Sequence, residues 1–216
     1  MANHVYFNIT VEGATNEMLQ EAFPLETVER KGWNDETIKF KEIIEVDKLP
    51  MYENCGQEYD EDGHQTNWYD WGCTNVGAKW INFDDFDFEG GNYISGHSAW
   101  SHPYPFCERL VEYLCKKHNV AVYIRMTYED EFRNYFGNDY FEGHYNEDSK
   151  EWYTDHHEDY RDHSDLIDIL RDKFGDKVDG EDFDWWDLDE ETDLVPQEYA
   201  DDVVYNFFET GELTGD

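Results

Sequence analysis

The chain has 216 residues, with 53 Asp and Glu against 16 Lys and Arg, a formal charge of −37. A net charge of roughly 2 to 8 keeps a small domain soluble and any surplus destabilises a compact fold by self-repulsion, so solubility alone does not account for it. An aromatic content of 18% with eight Trp excludes a chain that stays disordered, and ten Lys against six Arg, with the acid unevenly spread, speaks against a halophilic coat over an ordinary enzyme.

Met1 to Thr10 has neither a basic start nor a long apolar run, and no stretch approaches 18 apolar residues. An anionic leaflet would also repel the chain. The expectation is a cytoplasmic protein with no membrane contact. Cys55, Cys73, Cys107 and Cys115 form no Cys-x-x-Cys pair, so they read as reduced thiols.

His4 to Val11 alternates and is rich in strand formers, which predicts a first strand. A short helix follows over Glu17 to Phe23, ended by Pro24. Ile38 to Val46 fits a strand or a short helix equally well. Residues 50–75 are polar and punctuated by Gly and Asn, as in an irregular loop. Ala78 to Phe88 and Asn92 to Ala99 form a hairpin around Gly90-Gly91. Pro103 and Pro105 lead into an amphipathic helix with Leu110, Val111, Leu114 and Cys115 on one face. Val120 to Tyr128 is the clearest strand, and Tyr140 to Tyr145 adds another.

Strand, helix, hairpin, helix and strand make a β-α-β-β-α-β plan, the split or ferredoxin-like arrangement of an α+β fold with an antiparallel sheet. Trp71-Gly72, Gly77-Ala78-Lys79-Trp80, Ala99 to Pro105, Tyr128-Glu129-Asp130, Phe136-Gly137 and Phe141-Glu142-Gly143 follow in order. Over residues 1–150 this resembles the YubB-type ferredoxin-like domain of plasmid and bacteriophage proteins. Cys73 to Val76 interrupts the first motif, and His102 stands where the family tends to Pro. The resemblance implies a mobile-element protein and carries over no active site. The division expected is a ferredoxin-like domain over 1–150 and an acidic, aromatic-rich helical extension over 151–216.

Charge divides the chain in a related way. Residues 1–126 carry a net of −12, and residues 127–216 a net of −25 over a shorter stretch. Asp155 to Phe174 reads as one amphipathic helix with Leu166, Ile169, Leu170 and Phe174 inward. On that helix Glu158, Asp165, Asp168 and Asp172 would share an outward stripe, thickened by Asp155, Asp159 and Asp162. Its charge density stays below that of duplex DNA, with one charge per ~1.7 Å, so further acidic elements are needed, or two copies of the chain as a homodimer. Asp182, Asp184, Asp187, Asp189, Glu190 and Glu191 supply one, interleaved with Phe183, Trp185 and Trp186. A last helix over Glu198 to Glu212 supplies Asp201 and Asp202, with Tyr199, Val203, Phe207 and Phe208 buried. The aromatics of 181–193 either pack and fix the acidic segment or dock as a linear motif in a partner's groove.

Other chemistry finds little footing. Asp187, Asp189, Glu191, Asp193 and Glu198 fall in an EF-hand-like frame, but the required Gly is Thr192 and Pro196 interrupts it. The histidines make no spaced zinc signature. Where about one residue in four is acidic, paired carboxylates identify no hydrolytic site. No GxSxG or P-loop occurs. The expectation is a non-enzyme with no cofactor that presents carboxylates at phosphate-like positions to a basic, nucleic-acid-binding host protein, a defence effector foremost. Such a decoy needs only the backbone-positioning contacts and does not itself bind nucleic acid. The alternative is an adaptor that docks through 181–193 without mimicry; an enzyme would show a concave site near His97, His102 or His144.

Overall fold

His4–Glu12 (β1) alternates inward Val5, Phe7, Ile9 and Val11 with exposed neighbours, as a strand buried on one face must. The computed structural model describes residues 3–179 and 183–215. After β1 come α1 (Asn16–Ala22), β2 (Leu25–Lys31), β3 (Thr37–Ile43), α2 (Trp68–Asn75), β4 (Ile81–Asp87), β5 (Tyr93–Ala99), α3 (Tyr104–His118), β6 (Tyr123–Asp130), β7 (Tyr135–Asn146), β8 (Glu151–Asp162), α4 (His163–Phe174) and α5 (Pro196–Thr210). The main sheet has the order β4-β5-β1-β6-β7-β8, and β2-β3 form a separate two-stranded sheet. The molecule is thus a mixed α+β structure on a mostly antiparallel sheet. Among the described residues no helix is long and apolar enough to cross a membrane.

The chain forms two compact units, Met1–Met126 with Asp139–His157, and Thr127–Asn138 with Glu158–Asp216. In the first, β1 pairs antiparallel with β5, setting Phe7 opposite Gly96. A Cβ on Gly96 would lie 2.1 Å from the Asn82 carbonyl oxygen and 2.6 Å from the Phe7 ring, so only glycine fits. Thr15 caps α1, and α3 ends on Asn119 in the left-handed conformation, with Lys116, Lys117 and His118 in its last turn. Phe23 after α1 and Phe106 of α3 both meet Phe83 of β4, at 6.0 and 5.6 Å between ring centroids. That contact packs both helices on the same strand.

Residues 50–75 are not a plain loop. They include the short 3-10 turn Pro50–Tyr52 and the helix α2, in which only Trp71 and Gly72 are buried. Such a helix has no apolar stripe to read. It is held instead by the Trp71 indole N–H, which donates to the Cys55 carbonyl at 3.0 Å, and by the Tyr52 ring 5.0 Å away.

The second unit has its own core: Phe136, Leu166, Leu170 and Phe174 meet Tyr199, Ala200, Val203, Val204 and Phe207. Here the expected helix over Asp155 to Phe174 is corrected. Residues up to Asp162 belong to strand β8, and the helix begins at His163. The switch is made by Asp162. Its carboxylate accepts from the Ser164 N–H at 2.8 Å and the Asp165 N–H at 3.4 Å, while Asp165 accepts from the Asp162 N–H at 3.0 Å. This reciprocal cap is a helix start. The acidic C-terminal region is therefore part strand rather than mainly helix. The last helix, α5, starts on Pro196 and closes on left-handed Gly211, with Tyr199, Val203 and Phe207 inward.

Candidate acidic interface

The second unit carries 25 acidic and five basic side chains, a net of −20 over 71 residues. Every described carboxylate expected at the interface belongs to it except Asp155, which lies in the first unit with the His144 Nε2 at 3.4 Å. Asp182 lies outside the described residues.

Glu158 is not on the stripe with Asp165, Asp168 and Asp172, because it sits on β8 and accepts from the Tyr128 hydroxyl at 2.8 Å. Strand β8 ends the sheet. Charged side chains along an edge strand deter pairing with another chain, which gives Glu158 and Asp159 a structural reason beside any functional one. On α4, Asp165, Asp168 and Asp172 at i, i+3 and i+7 do share one exposed face.

The carboxylates fall into two groups. Asp159 pairs with Arg161 and Asp168 with Arg171, both at 2.5 Å, and Asp201 pairs with Arg133. Asp162 and Asp165 make the cap of α4. Asp184 accepts from the Trp186 N–H at 3.0 Å, and Asp189 from the N–H groups of Glu191 and Thr192 at 2.9 Å. The hydroxyl of Ser164, followed by its N–H, holds the Asp162 carboxyl below its ordinary value; the Thr192 N–H does the same for Asp189. These groups do local work. By contrast, Asp172, Asp187, Glu190, Glu191 and Asp202 are exposed, and their carboxylates make no ion pair or hydrogen bond among the described residues.

The aromatics of the segment also divide. Phe183 and Trp185 pack on the second unit's core, their rings 5.2 Å apart, and the Gln197 N–H donates to the Trp185 carbonyl at 2.8 Å. Trp186 is 71% exposed. The described part of 183–193 is thus anchored at two aromatic positions, with one ring and most of its carboxylates in water. The Asp189 turn also occupies a carboxylate that an EF-hand would spend on calcium.

Histidines in the first unit were the alternative chemistry. His97 Nδ1 donates to Asp84 Oδ2, 2.7 Å away, and His97 lines a cleft of about 1070 Å³ with Asp84, Asn82 and Tyr59. Its Nε2 meets the Asn82 side-chain nitrogen at 3.3 Å. Among the described residues the ring hydrogen-bonds to these two side chains, neither of them a hydroxyl or thiol that it could activate. Asp139 is fully buried and faces the Nε2 atoms of His102 and His156, each at 3.3 Å. Of this trio only His102 stands out in the sequence, because its members are separated by 37 and 17 positions. Beside it, burial and then the Asp139 carboxylate push the Cys107 thiol well up, away from the thiolate a nucleophile or metal ligand needs. Asp60, Asp62 and His64 also come together on the surface, where Asp60 accepts from both following N–H groups at 3.0 and 2.8 Å, a loop-closing turn.

Comparison of the chain with protein-family models, with curated proteins and with solved structures found no match.

Proposed function

We propose that this chain is an acidic decoy that binds the nucleic-acid cleft of a basic host protein and blocks it by occupancy, without catalysis and without a cofactor. The observation that carries the reading is the second unit's net of −20 displayed around a packed apolar core. Carboxylates carried on the backbone of α4, α5 and the anchored segment 183–193 are preorganised in position, and preorganisation of this kind raises affinity. A cleft that grips nucleic acid gains much of its affinity from phosphate contacts and counterion release. Five exposed carboxylates with no local work are the groups a basic cleft could use in their place.

The fold contributes to the reading. The neighbours β4-β5-β1-β6, with α1 and α3 in the connections, follow the order of a ferredoxin-like sheet, supporting that arrangement for the first 150 residues. Origin on a phage or plasmid, with action in the host cytoplasm against a defence effector, rests on the motif resemblance and gives the decoy a purpose.

Affinity capture from expressing cells tests the proposal. The partner should carry a basic nucleic-acid cleft, duplex DNA or structured RNA should displace it, and capture should weaken steeply with salt. A partner without such a cleft, or a complex indifferent to both competitor and salt, sinks the decoy. Trp186, 71% exposed, favours one second reading, an adaptor docking through 183–193. Under it, Trp186→Ala alone abolishes capture and nucleic acid does not compete.

A further inference from the structure

The first unit holds a cationic site built from exposed aromatics. The Lys79 ammonium lies 4.8 Å from the ring centroid of Trp100, 5.7 Å from that of Trp68 and 5.9 Å from that of Tyr69. All three separations are within the ~6 Å reach of a cation–π contact. Tyr69 is edge-on to both tryptophans, at 5.8 and 6.4 Å between centroids, so the rings form a partial cage rather than a stack. Each is nearly half exposed: Trp68 46%, Tyr69 43% and Trp100 49%.

Two features show that the cage is more than incidental packing. The chain has 53 acidic residues, yet Lys79 makes no ion pair among the described residues and sits among rings instead. Trp100 also has φ +74°, a left-handed conformation that a bulky side chain rarely adopts and that glycine adopts without cost. The backbone there is held by the Trp100 N–H donating to Asn3 at 2.9 Å and by the Ser101 hydroxyl donating to the Gly77 carbonyl. This large side chain is held in a strained position with about half its surface in water. Strain of that kind is characteristic of ligand clamps.

We infer that Trp68, Tyr69 and Trp100 form a docking point for an arginine side chain of a partner protein, which takes the place of the Lys79 ammonium on the rings. Arginine fits because its weakly hydrated planar guanidinium stacks on aromatic faces, and because a chain of charge −37 attracts basic partners. Tryptophan, tyrosine and arginine are also the residues that dominate binding energy at protein interfaces. The choice of a basic partner rests on the decoy reading; the cage itself is independent of the second unit's carboxylates.

N-acetylarginine amide serves as the probe, followed through the indole N–H signals of the full chain labelled at tryptophan, in about 0.5 M NaCl to suppress unspecific attraction. The signals of Trp68 and Trp100 should shift saturably, and Lys79→Met, which vacates the cage, should bind the probe several-fold more tightly. Trp100→Gly should abolish the shift at Trp68 while its thermal midpoint equals or exceeds that of the wild type. Absence of any shift in both wild type and Lys79→Met overturns the inference. So does a fall in the midpoint of Trp100→Gly, which would mean that the ring is there for packing. Either failure leaves the decoy standing, since that is judged by competition with nucleic acid.

Discussion

Converting Asp172, Asp187, Glu190, Glu191 and Asp202 to their amides removes charge without removing a local bond, and should make the protein more stable. The second unit goes from a net of −20 to −15. Coulomb repulsion within one body scales with the square of its charge, so the self-repulsion falls to roughly 0.56 of its starting value. The assay is the thermal midpoint measured from about 0.02 to about 0.5 M NaCl, over which the screening length shrinks several-fold. For the wild type the midpoint should climb with salt. In the variant it should begin higher, and its rise should be smaller by about two fifths. A second variant with the same charge change is the control: Asp159, Asp162, Asp168, Asp189 and Asp201 to Asn. It loses three ion pairs and leaves the α4 cap and the turn at 189 with neutral, weaker acceptors, so its midpoint should fall below that of the first variant at every salt concentration. If the two variants behave alike, the separation of working from idle carboxylates is wrong. The decoy then loses the surplus charge on which it rests. Partner capture should weaken in the first variant although its fold is firmer, because the idle carboxylates are the ones offered to the cleft.

Leu170 is fully buried in the second unit's core, so Leu170→Ala should cost about 2–5 kcal/mol in urea unfolding and loosen α4 and α5 in hydrogen exchange. The Asp162 carboxyl is held below its ordinary 3.8 in the folded chain. Its stabilisation is therefore complete above the unfolded value and is lost as pH falls through the lower folded value. Asp162→Asn should be less stable than wild type near neutrality, with the difference closing in acid; a constant difference would refute the assignment. Among the cysteines, Cys107 and Cys115 are buried and burial pushes both thiols up, whereas Cys73 is exposed and Cys55 half-buried. A thiol reagent should label two of the four in the native protein and all four after denaturation.

What could be read from the sequence followed the strength of its apolar periodicity. Alternation in β1, the Gly90-Gly91 turn and the stripe of α3 each have one physical solution, and the strands and helix stand where they were expected. Helix α2 gave no stripe because Trp71 and Gly72 are its only buried residues. The boundary at Asp162 was misplaced because the acidic residues of β8 also fit a helical count, and the apolar positions of α4 extend only from Leu166 onward. The signal was present as Asp162 followed three positions later by Asp165, a carboxylate pair able to make the reciprocal cap. The surroundings of Asp139 were beyond any local reading, since β7, β8 and the turn before α3 bring its partners together. Lys79 and Trp100 were visible only as motif letters; that one sits over the ring of the other is a consequence of the fold.

A stable fold keeps some of these carboxylates on its own account and has no use for others. Caps, turns and ion pairs retain a carboxylate because its loss leaves unsatisfied N–H groups or a guanidinium, and an edge strand retains charge to stay unpaired. None of these reasons reaches Asp172 on α4, Glu190 and Glu191 beyond the Trp185 anchor, or Asp202 on α5. Each of those adds repulsion to a unit already at −20 and returns nothing to the fold. A partner that neutralises them would lift that repulsion on binding, so the same residues that weaken the free protein would strengthen the complex. This predicts that the bound protein is stabilised by more at low salt than at high salt, the reverse of the free protein's own dependence.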